Sequence, residues 1–180
     1  MNDKATQLLL PRLEILLRDF RHSREFVRYI LEKKLHDKTS KQAELVHLAF
    51  ETAMIVSYWR PFSKQYDFKG HAVLKLQNDV SRVLTEAQKK LHERVHERRD
   101  TDYAHSDAKS HLDENFDYGK HHLAVPYLTC MRLPKSQTVK LGEMIEAWIL
   151  HIEKLRTVCV SERRAGLREL KTRQKLVSTE

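Results

Sequence analysis

The chain has 180 residues, of which 41% are hydrophobic, so it can bury the core of a single domain and is not a disordered chain. Its net charge of +8 favours an anionic partner, and nucleic acid is the first candidate because distributed Lys and Arg neutralise its phosphates. The alternative is a solvated surface with surplus lysine. Four Gly and four Pro are few for strands joined by turns, and therefore favour long helices.

The sequence carries no signal for a membrane or for secretion. No apolar run reaches the length of a membrane-spanning helix, and no charged segment is followed by an apolar signal-peptide core. Cys130 and Cys159 form neither a CxxC pair nor a metal-type pair, and two cysteines do not make a disulfide framework. We therefore expect a cytoplasmic protein without a membrane partner.

The first predicted helix covers residues 3–35 and is interrupted or bent near Pro11, which lacks the N–H that a helix interior needs. Polar residues 36–41 predict a turn in which Thr39 or Ser40 caps the next helix. The apolar residues of the first helix recur at helical spacing and predict one buried stripe, which consists of Leu13, Leu16, Leu17, Phe20, Val27, Ile30 and Leu31.

A second predicted helix ends before Pro61, because proline has no N–H and disfavours helix at Arg60. Residues 61–72 predict a loop. One face of this helix carries apolar and small residues at i, i+3, i+4, i+7, i+8 and i+11, which predicts that it is buried; these are Leu45, Leu48, Ala49, Thr52, Ala53 and Val56.

A third helix is predicted to begin with Asn78 or Asp79 as its cap and to reach Arg98. Arg98 falls on the line of its apolar residues. The stripe predicted to be buried consists of Val80, Val83, Leu84, Ala87, Leu91 and Val95.

Residues 106–138 are the least helical part, and a small β-hairpin is predicted around Gly119, within 111–131. A fourth helix begins after Ser136 and runs to about Arg163 or beyond. Its predicted stripe consists of Leu141, Met144, Ile145, Trp148, Ile152, Leu155 and Cys159. Residues 163–180 form a basic extension that Gly166 interrupts, either a solvated helix end or an RNA-contacting arm.

The predicted elements together give one all-α domain over residues 1–180. Four major amphipathic helices with short connections predict an antiparallel helical bundle, to which the hairpin is an insertion.

Residues 98–107 bring together two arginines, three aspartates, a tyrosine and a histidine, with Arg98, Arg99 and His105 among them. Arginine holds phosphate through paired hydrogen bonds, and histidine exchanges a proton near neutral pH. His105 is therefore the candidate general base for an RNA 2′-hydroxyl, and Arg99 the candidate ligand of the phosphate, with Arg98 as a second. These are the parts of a metal-independent phosphodiester cleavage site.

The neighbouring side chains complete this candidate site. Asp100 or Asp102 can orient the imidazole or the guanidinium, Tyr103 can stack on a base, and Arg60 can face the same cleft. On composition and spacing alone, the favoured interpretation is a structural one, in which these residues are a helix end with local ion pairs and Arg60 is a helix-terminal residue.

Helical geometry limits how the motif can work. If the helix continued, Arg98, Asp102 and His105 would stay within roughly 60° of one another, whereas Arg99 would lie about 120° from His105. A pairing of Arg99 with His105 therefore needs the helix to end or bend within the motif.

Arg99-Asp100, followed by Ala104-His105, resembles the Arg-x(4–6)-His motif of the HEPN superfamily, the higher eukaryotes and prokaryotes nucleotide-binding proteins. Residues 103–107 and 59–63 resemble more narrowly the abortive-infection HEPN-like proteins of bacteria. The resemblance implies a helical bundle, a homodimer whose two motifs face each other, and metal-independent endoribonuclease activity. It also implies an anti-phage or toxin–antitoxin context, in which a cognate antitoxin can be a partner.

Two other interpretations stay open. One is a catalytically silent HEPN-like module that binds RNA, a nucleotide or a protein, and the other is an unrelated helical scaffold whose arginine-rich helix end is structural. RNA cleavage would indicate the nuclease, and salt-sensitive RNA binding without cleavage would indicate the silent module. A protein that does neither would be the unrelated scaffold.

A di-iron bundle is rejected on geometry. Glu44 and His47, and also Glu93 and His96, have the Glu-x-x-His spacing of di-iron carboxylate proteins. If the apolar stripes face inward, both histidines lie roughly 150–170° away, towards solvent. The loop histidines match no standard zinc spacing, so no metal and no cofactor is predicted.

Overall fold

Helices account for almost all of the structure. The computed structural model describes the backbone of residues 3–63, 76–99 and 132–177, and the side chains of residues 9–63, 76–99 and 132–165. The helices are α1 (Asp3–Glu32), α2 (Lys41–Trp59), α3 (Val80–Val83), α4 (Glu86–Arg98) and α5 (Lys135–Val177), with 3₁₀ turns at Leu35–Asp37, Arg60–Phe62 and Leu76–Asp79. No strand occurs in these ranges, so the all-α prediction is confirmed; the predicted hairpin within 111–131 lies outside them.

α1 and α5 pack along each other and provide most of the core. Gly142 lies inside α5, where a glycine weakens a helix, and a Cβ atom placed there would meet Cγ1 of Val27 at 3.1 Å. The missing side chain therefore lets the two helices approach closely. The stripes predicted for both helices are buried, with Leu31 and Leu155 at their edges only partly so.

Aromatic side chains fill the region where α1, α5 and the end of α2 meet. The rings of Phe20 and Trp148 are parallel, with centroids 5.9 Å apart, and Tyr58 and Phe62 approach Phe20 at steep angles. Such large side chains contribute much of the burial in a domain of this size.

α1 continues through Pro11 and stays helical from Asp3 to Glu32. At its other end the chain turns at Lys34, which has a left-handed backbone with φ 49°. Of the two predicted caps of α2, Thr39 and Ser40, the structure has Ser40. Its side chain accepts a hydrogen bond from the N–H of Ala43.

The prediction for the buried face of α2 was wrong. Leu45 is 50% exposed, Ala49 is exposed, and the other four members of the predicted stripe are only half-buried. The face that packs into the protein instead carries polar residues among apolar ones; its buried members are His47, Glu51, Met54, Ile55, Ser57, Tyr58 and Trp59. Apolar periodicity therefore identified the helix but not its inward side.

The third predicted helix begins where expected, with Asp79 as the N-cap residue of α3, but it is divided into two helices at Leu84. Residues 76–83 form a 3₁₀ turn and the short α3, and the backbone is extended at Leu84. α4 begins at Glu86 with a capping box, in which Thr85 and Gln88 bond to each other's backbone N–H. Leu84, Leu91 and Val95 are buried as predicted, whereas Ala87 is exposed.

α5 begins at Lys135 and continues through Gly166 to Val177, so the predicted interruption does not occur. None of the helices in the described ranges is long and apolar enough to span a membrane.

Candidate functional site

Two adjacent arginines occupy the end of α4, where the predicted motif begins. α4 ends at Arg98, and Arg99 caps it with backbone angles that are still helical, φ −59° and ψ −41°. The N–H of Arg99 donates to the carbonyls of Val95 and His96, so the helix itself closes its last turn. Both arginine residues are partly buried.

Four of the predicted site residues lie outside the described part of the chain: Asp100, Asp102, Tyr103 and His105. The meeting of Arg99 with His105, and the bend that it requires, therefore stay predictions.

A buried carboxylate on α2 holds Arg98. Nη1 of Arg98 donates to Oε1 of Glu51 across 3.4 Å, and the Glu51 side chain is only 1% exposed. An ionised carboxylate is costly to bury without a cation or hydrogen-bond donors, so Glu51 needs this partner. The pair fixes the direction in which the Arg98 side chain leaves α4.

The same carboxylate accepts a hydrogen bond from the beginning of α5. The N–H of Leu133, two residues before the helix, donates to both oxygens of Glu51, at 3.1 and 3.2 Å. Nε2 of His47 lies 3.6 Å from Oε2 on the other side. Glu51 therefore joins α2, the end of α4 and the start of α5.

His47 lies one turn before Glu51 and is fully buried, which corrects the prediction that it faces solvent. Its ring packs edge-on against His36, with centroids 4.5 Å apart. Burial lowers the pKa of His47 to about 4 and also lowers the pKa of His36 below its ordinary value. Both imidazoles are therefore mainly neutral at neutral pH.

The di-iron site was rejected because both His47 and His96 were expected to face solvent. This reason no longer holds for His47. His96, in the second Glu-x-x-His pair, is exposed as predicted. Among residues whose side chains are described, no group of three His, Cys, Asp or Glu could hold a metal ion.

A second face of α4 carries His92, His96 and Arg99, which are spaced four and three residues apart and so lie above one another. The ring of His96 is stacked on Trp59, with centroids 4.1 Å apart and planes 22° apart. Trp59 is buried and His96 is exposed, so His96 is the outer ring of this stack, one turn before Arg99.

Tyr58 and His92 form a buried polar pair below that stack. The hydroxyl of Tyr58 lies 2.8 Å from Nδ1 of His92. Burial lowers the pKa of His92 to about 4 and raises the pKa of Tyr58, so both groups are neutral. We assign the phenol as donor because it is the more acidic group and the imidazole nitrogen the better acceptor.

Arg60 lies at the end of α2. The pairs Glu51–Arg98 and Tyr58–His92 show that α2 and α4 run in opposite directions. Arg60 is exposed, and its neighbour Trp59 is stacked on His96, one turn before Arg99. That Arg60 faces the same cleft as the motif stays a prediction.

Comparisons of the chain with family models, with curated proteins and with solved structures gave no match.

Sequence reasoning missed the residues that surround the arginines, above all Glu51, His47, Tyr58 and His92. The sequence held a weak signal for His47 and Glu51, because residues spaced by four lie on one helix face. Their partners on α4 and α5 are 47 and 82 positions away from Glu51, which local spacing does not reveal.

Proposed function

We propose that the protein is a metal-independent endoribonuclease of the HEPN type, which cleaves RNA phosphodiesters with Arg99 and His105. The observation that carries the proposal is the position of Arg99 at the end of α4. It lies on the helix face next to that of Arg98, one turn from the exposed ring of His96. The motif arginine and a ring able to stack on a base are thus neighbours.

In the proposed reaction, His105 takes the proton of the 2′-hydroxyl, and the oxygen attacks the adjacent phosphorus. Arg99 stabilises the charge that gathers on the non-bridging oxygens. A protonated group gives its proton to the departing 5′-oxygen, so the products are a 2′,3′-cyclic phosphate and a 5′-hydroxyl. Asp100 orients the imidazole or the guanidinium, and proton transfer of this kind contributes typically about 10²–10⁴-fold.

Substrate contacts outside the reacting phosphate are assigned to Asp102, Tyr103 and Arg60. Arg60 is exposed and follows Trp59, whose ring is stacked on His96 one turn before Arg99. We therefore assign Arg60 to the phosphate backbone of the bound RNA. Arg98 acts through its pair with Glu51 rather than on the substrate.

We extend the proposal to a homodimer of antiparallel four-helix bundles. Two members of the apolar stripe of α2, Leu45 and Ala49, are exposed, and covering apolar surface stabilises an interface by about 25 cal/mol per Å². A second copy would cover this stripe, and the resemblance implies that the two motifs of the dimer face each other.

The proposed setting is an anti-phage or toxin–antitoxin system in the cytoplasm, with a cognate antitoxin as the binding partner. The net charge of +8 supports an RNA substrate, because phosphate neutralisation makes binding strong and salt-dependent.

A cleavage assay in EDTA tests the proposal against its closest alternative. Wild type should cut single-stranded RNA and leave 2′,3′-cyclic phosphate ends, and Arg99→Ala should lower kcat by about 10²-fold or more. Arg94→Ala, an exposed arginine on α4, is the matched control and should keep its activity. Salt-sensitive RNA binding without cleavage would replace the nuclease with a catalytically silent RNA-binding module.

A further inference from the structure

The two ends of one chain segment meet at a single carboxylate. Residues 99–132, which contain the Arg99…His105 motif, connect the end of α4 with Leu133, two residues before α5. Glu51 binds both neighbours of this segment, the guanidinium of Arg98 on one side and the N–H of Leu133 on the other. It therefore lies where the segment starts and where it ends.

The burial of Glu51 makes these two contacts important for the stability of the carboxylate. A carboxylate that is 1% exposed has lost its water, so its charge must be balanced by donors within the protein. One donor comes from each end of the segment, Nη1 of Arg98 and the N–H of Leu133. If either end moved off, the carboxylate would lose that hydrogen bond while it stayed buried.

A second tie lies on the same face of α2 but is weaker. Glu44 is 3.4 Å from Arg132, and both side chains are 31% exposed. Exposed pairs of this kind contribute little, because water screens them. Of these two ties, the one through the buried Glu51 is therefore the stronger.

We propose that Glu51 is a positioning residue for the Arg99…His105 motif. Its buried carboxylate holds the end of α4 and the start of α5 at a fixed separation, and it thereby sets the place and direction from which Arg99 reaches the phosphate. Glu51 does not touch the substrate. This inference rests on the proposed nuclease activity for its kinetic consequence, whereas its structural consequence can be measured separately.

The test is Glu51→Gln, which keeps the shape of the side chain but removes its charge. The amide is a weaker partner for Arg98, and it leaves only one of the two oxygens that accept from the N–H of Leu133. Glu93→Gln, the same change at an exposed position of α4, is the matched control. Two readouts are taken on the full chain: amide hydrogen exchange by residue or short peptide, and steady-state cleavage of a single-stranded RNA in EDTA.

We expect local loosening in Glu51→Gln. Amides of residues 95–99 and 133–138 should exchange about tenfold faster or more, while amides in the middle of α1 and α5 change less than about twofold. We expect kcat to fall about 10- to 100-fold with KM changed less than about twofold, because the motif is misplaced rather than removed. Glu93→Gln should match wild type in both readouts.

Faster exchange spread evenly over all helices, or a folded Glu51→Gln whose kcat stays within about twofold of wild type, would overturn the inference. If Glu51→Gln does not fold, Arg98→Gln breaks the same pair from its more exposed partner, and it should loosen residues 95–99 with the same loss of kcat. If wild type itself cuts no RNA, the proposed function fails, and the exchange pattern alone decides whether Glu51 holds the two ends.

Discussion

Tyr58 and His92 are 34 positions apart in the chain, yet the hydroxyl of one lies 2.8 Å from Nδ1 of the other in the core. The pair joins α2 to α4 just below the Trp59–His96 stack. Burying a hydroxyl or an imidazole without a hydrogen-bond partner costs free energy. The hydrogen bond between Tyr58 and His92 lowers this cost for both groups.

Replacing Tyr58 by Phe should therefore destabilise the protein by roughly 1–3 kcal/mol, because His92 keeps its burial and loses its donor. The measurement is the free energy of unfolding in urea. Tyr29→Phe is the matched control, since the Tyr29 ring stacks on Phe50 at 4.1 Å and removing its hydroxyl leaves that stack in place. Equal stability of wild type and Tyr58→Phe would show that the pair does not stabilise the fold.

The buried histidines predict a stability that decreases on mild acidification. His47 and His92 have a pKa of about 4 in the folded protein, against an ordinary 6.5 when unfolded. Between these values the unfolded chain binds more protons, so the free energy of unfolding must fall as the pH falls. Each of the two protons contributes a slope of at most about 1.4 kcal/mol per pH unit.

Urea unfolding at pH values from 7 to 5 measures this slope. His92→Gln should reduce the slope, because it removes one of the two buried titrating groups. His22→Gln, at an exposed position, should leave the slope as it is in wild type. A stability that stays flat across this range would contradict neutral buried imidazoles.

The helices could be read from the sequence because their apolar residues repeat at helical spacing, and α1 and α5 bury the predicted side. α2 shows where this method stops. Its apolar stripe from Leu45 to Val56 has the right period, but the inward face is the one with His47 and Glu51. Periodicity counts apolar residues only, and it misleads when polar residues are buried with partners from distant segments.

The candidate site could be located but not assembled from the sequence. The arginines at residues 98 and 99 lie at the end of α4 as expected, and the apolar stripe already placed Arg98 on the inward line, but it did not name the partner of Arg98. The partner of Arg98 is Glu51, whose burial also depends on the N–H of Leu133. Such contacts arise only when three helices have packed.

The exposed stripe of α2 leads to a prediction about assembly. If a second copy covers it, Leu45→Glu should convert a dimer into a monomer, because burying an unpaired charge in the interface costs free energy. The far-UV circular dichroism spectrum should not change. Sedimentation equilibrium measures the mass. Leu150→Glu on α5 is the matched control, since Leu150 is similarly exposed at 57% against 50% for Leu45. A wild-type monomer, or a Leu45→Glu dimer, would argue against this interface.

The most direct test of the nuclease proposal compares wild type with His105→Ala on one labelled single-stranded RNA, in EDTA, with analysis of the product ends. His22→Ala, at an exposed position of α1, is the control for loss of an imidazole. The proposal predicts 2′,3′-cyclic phosphate products from wild type and His22→Ala, and a rate at least about 10²-fold lower for a folded His105→Ala. Equal cleavage by wild type and His105→Ala, or no cleavage by any of the three, would contradict it.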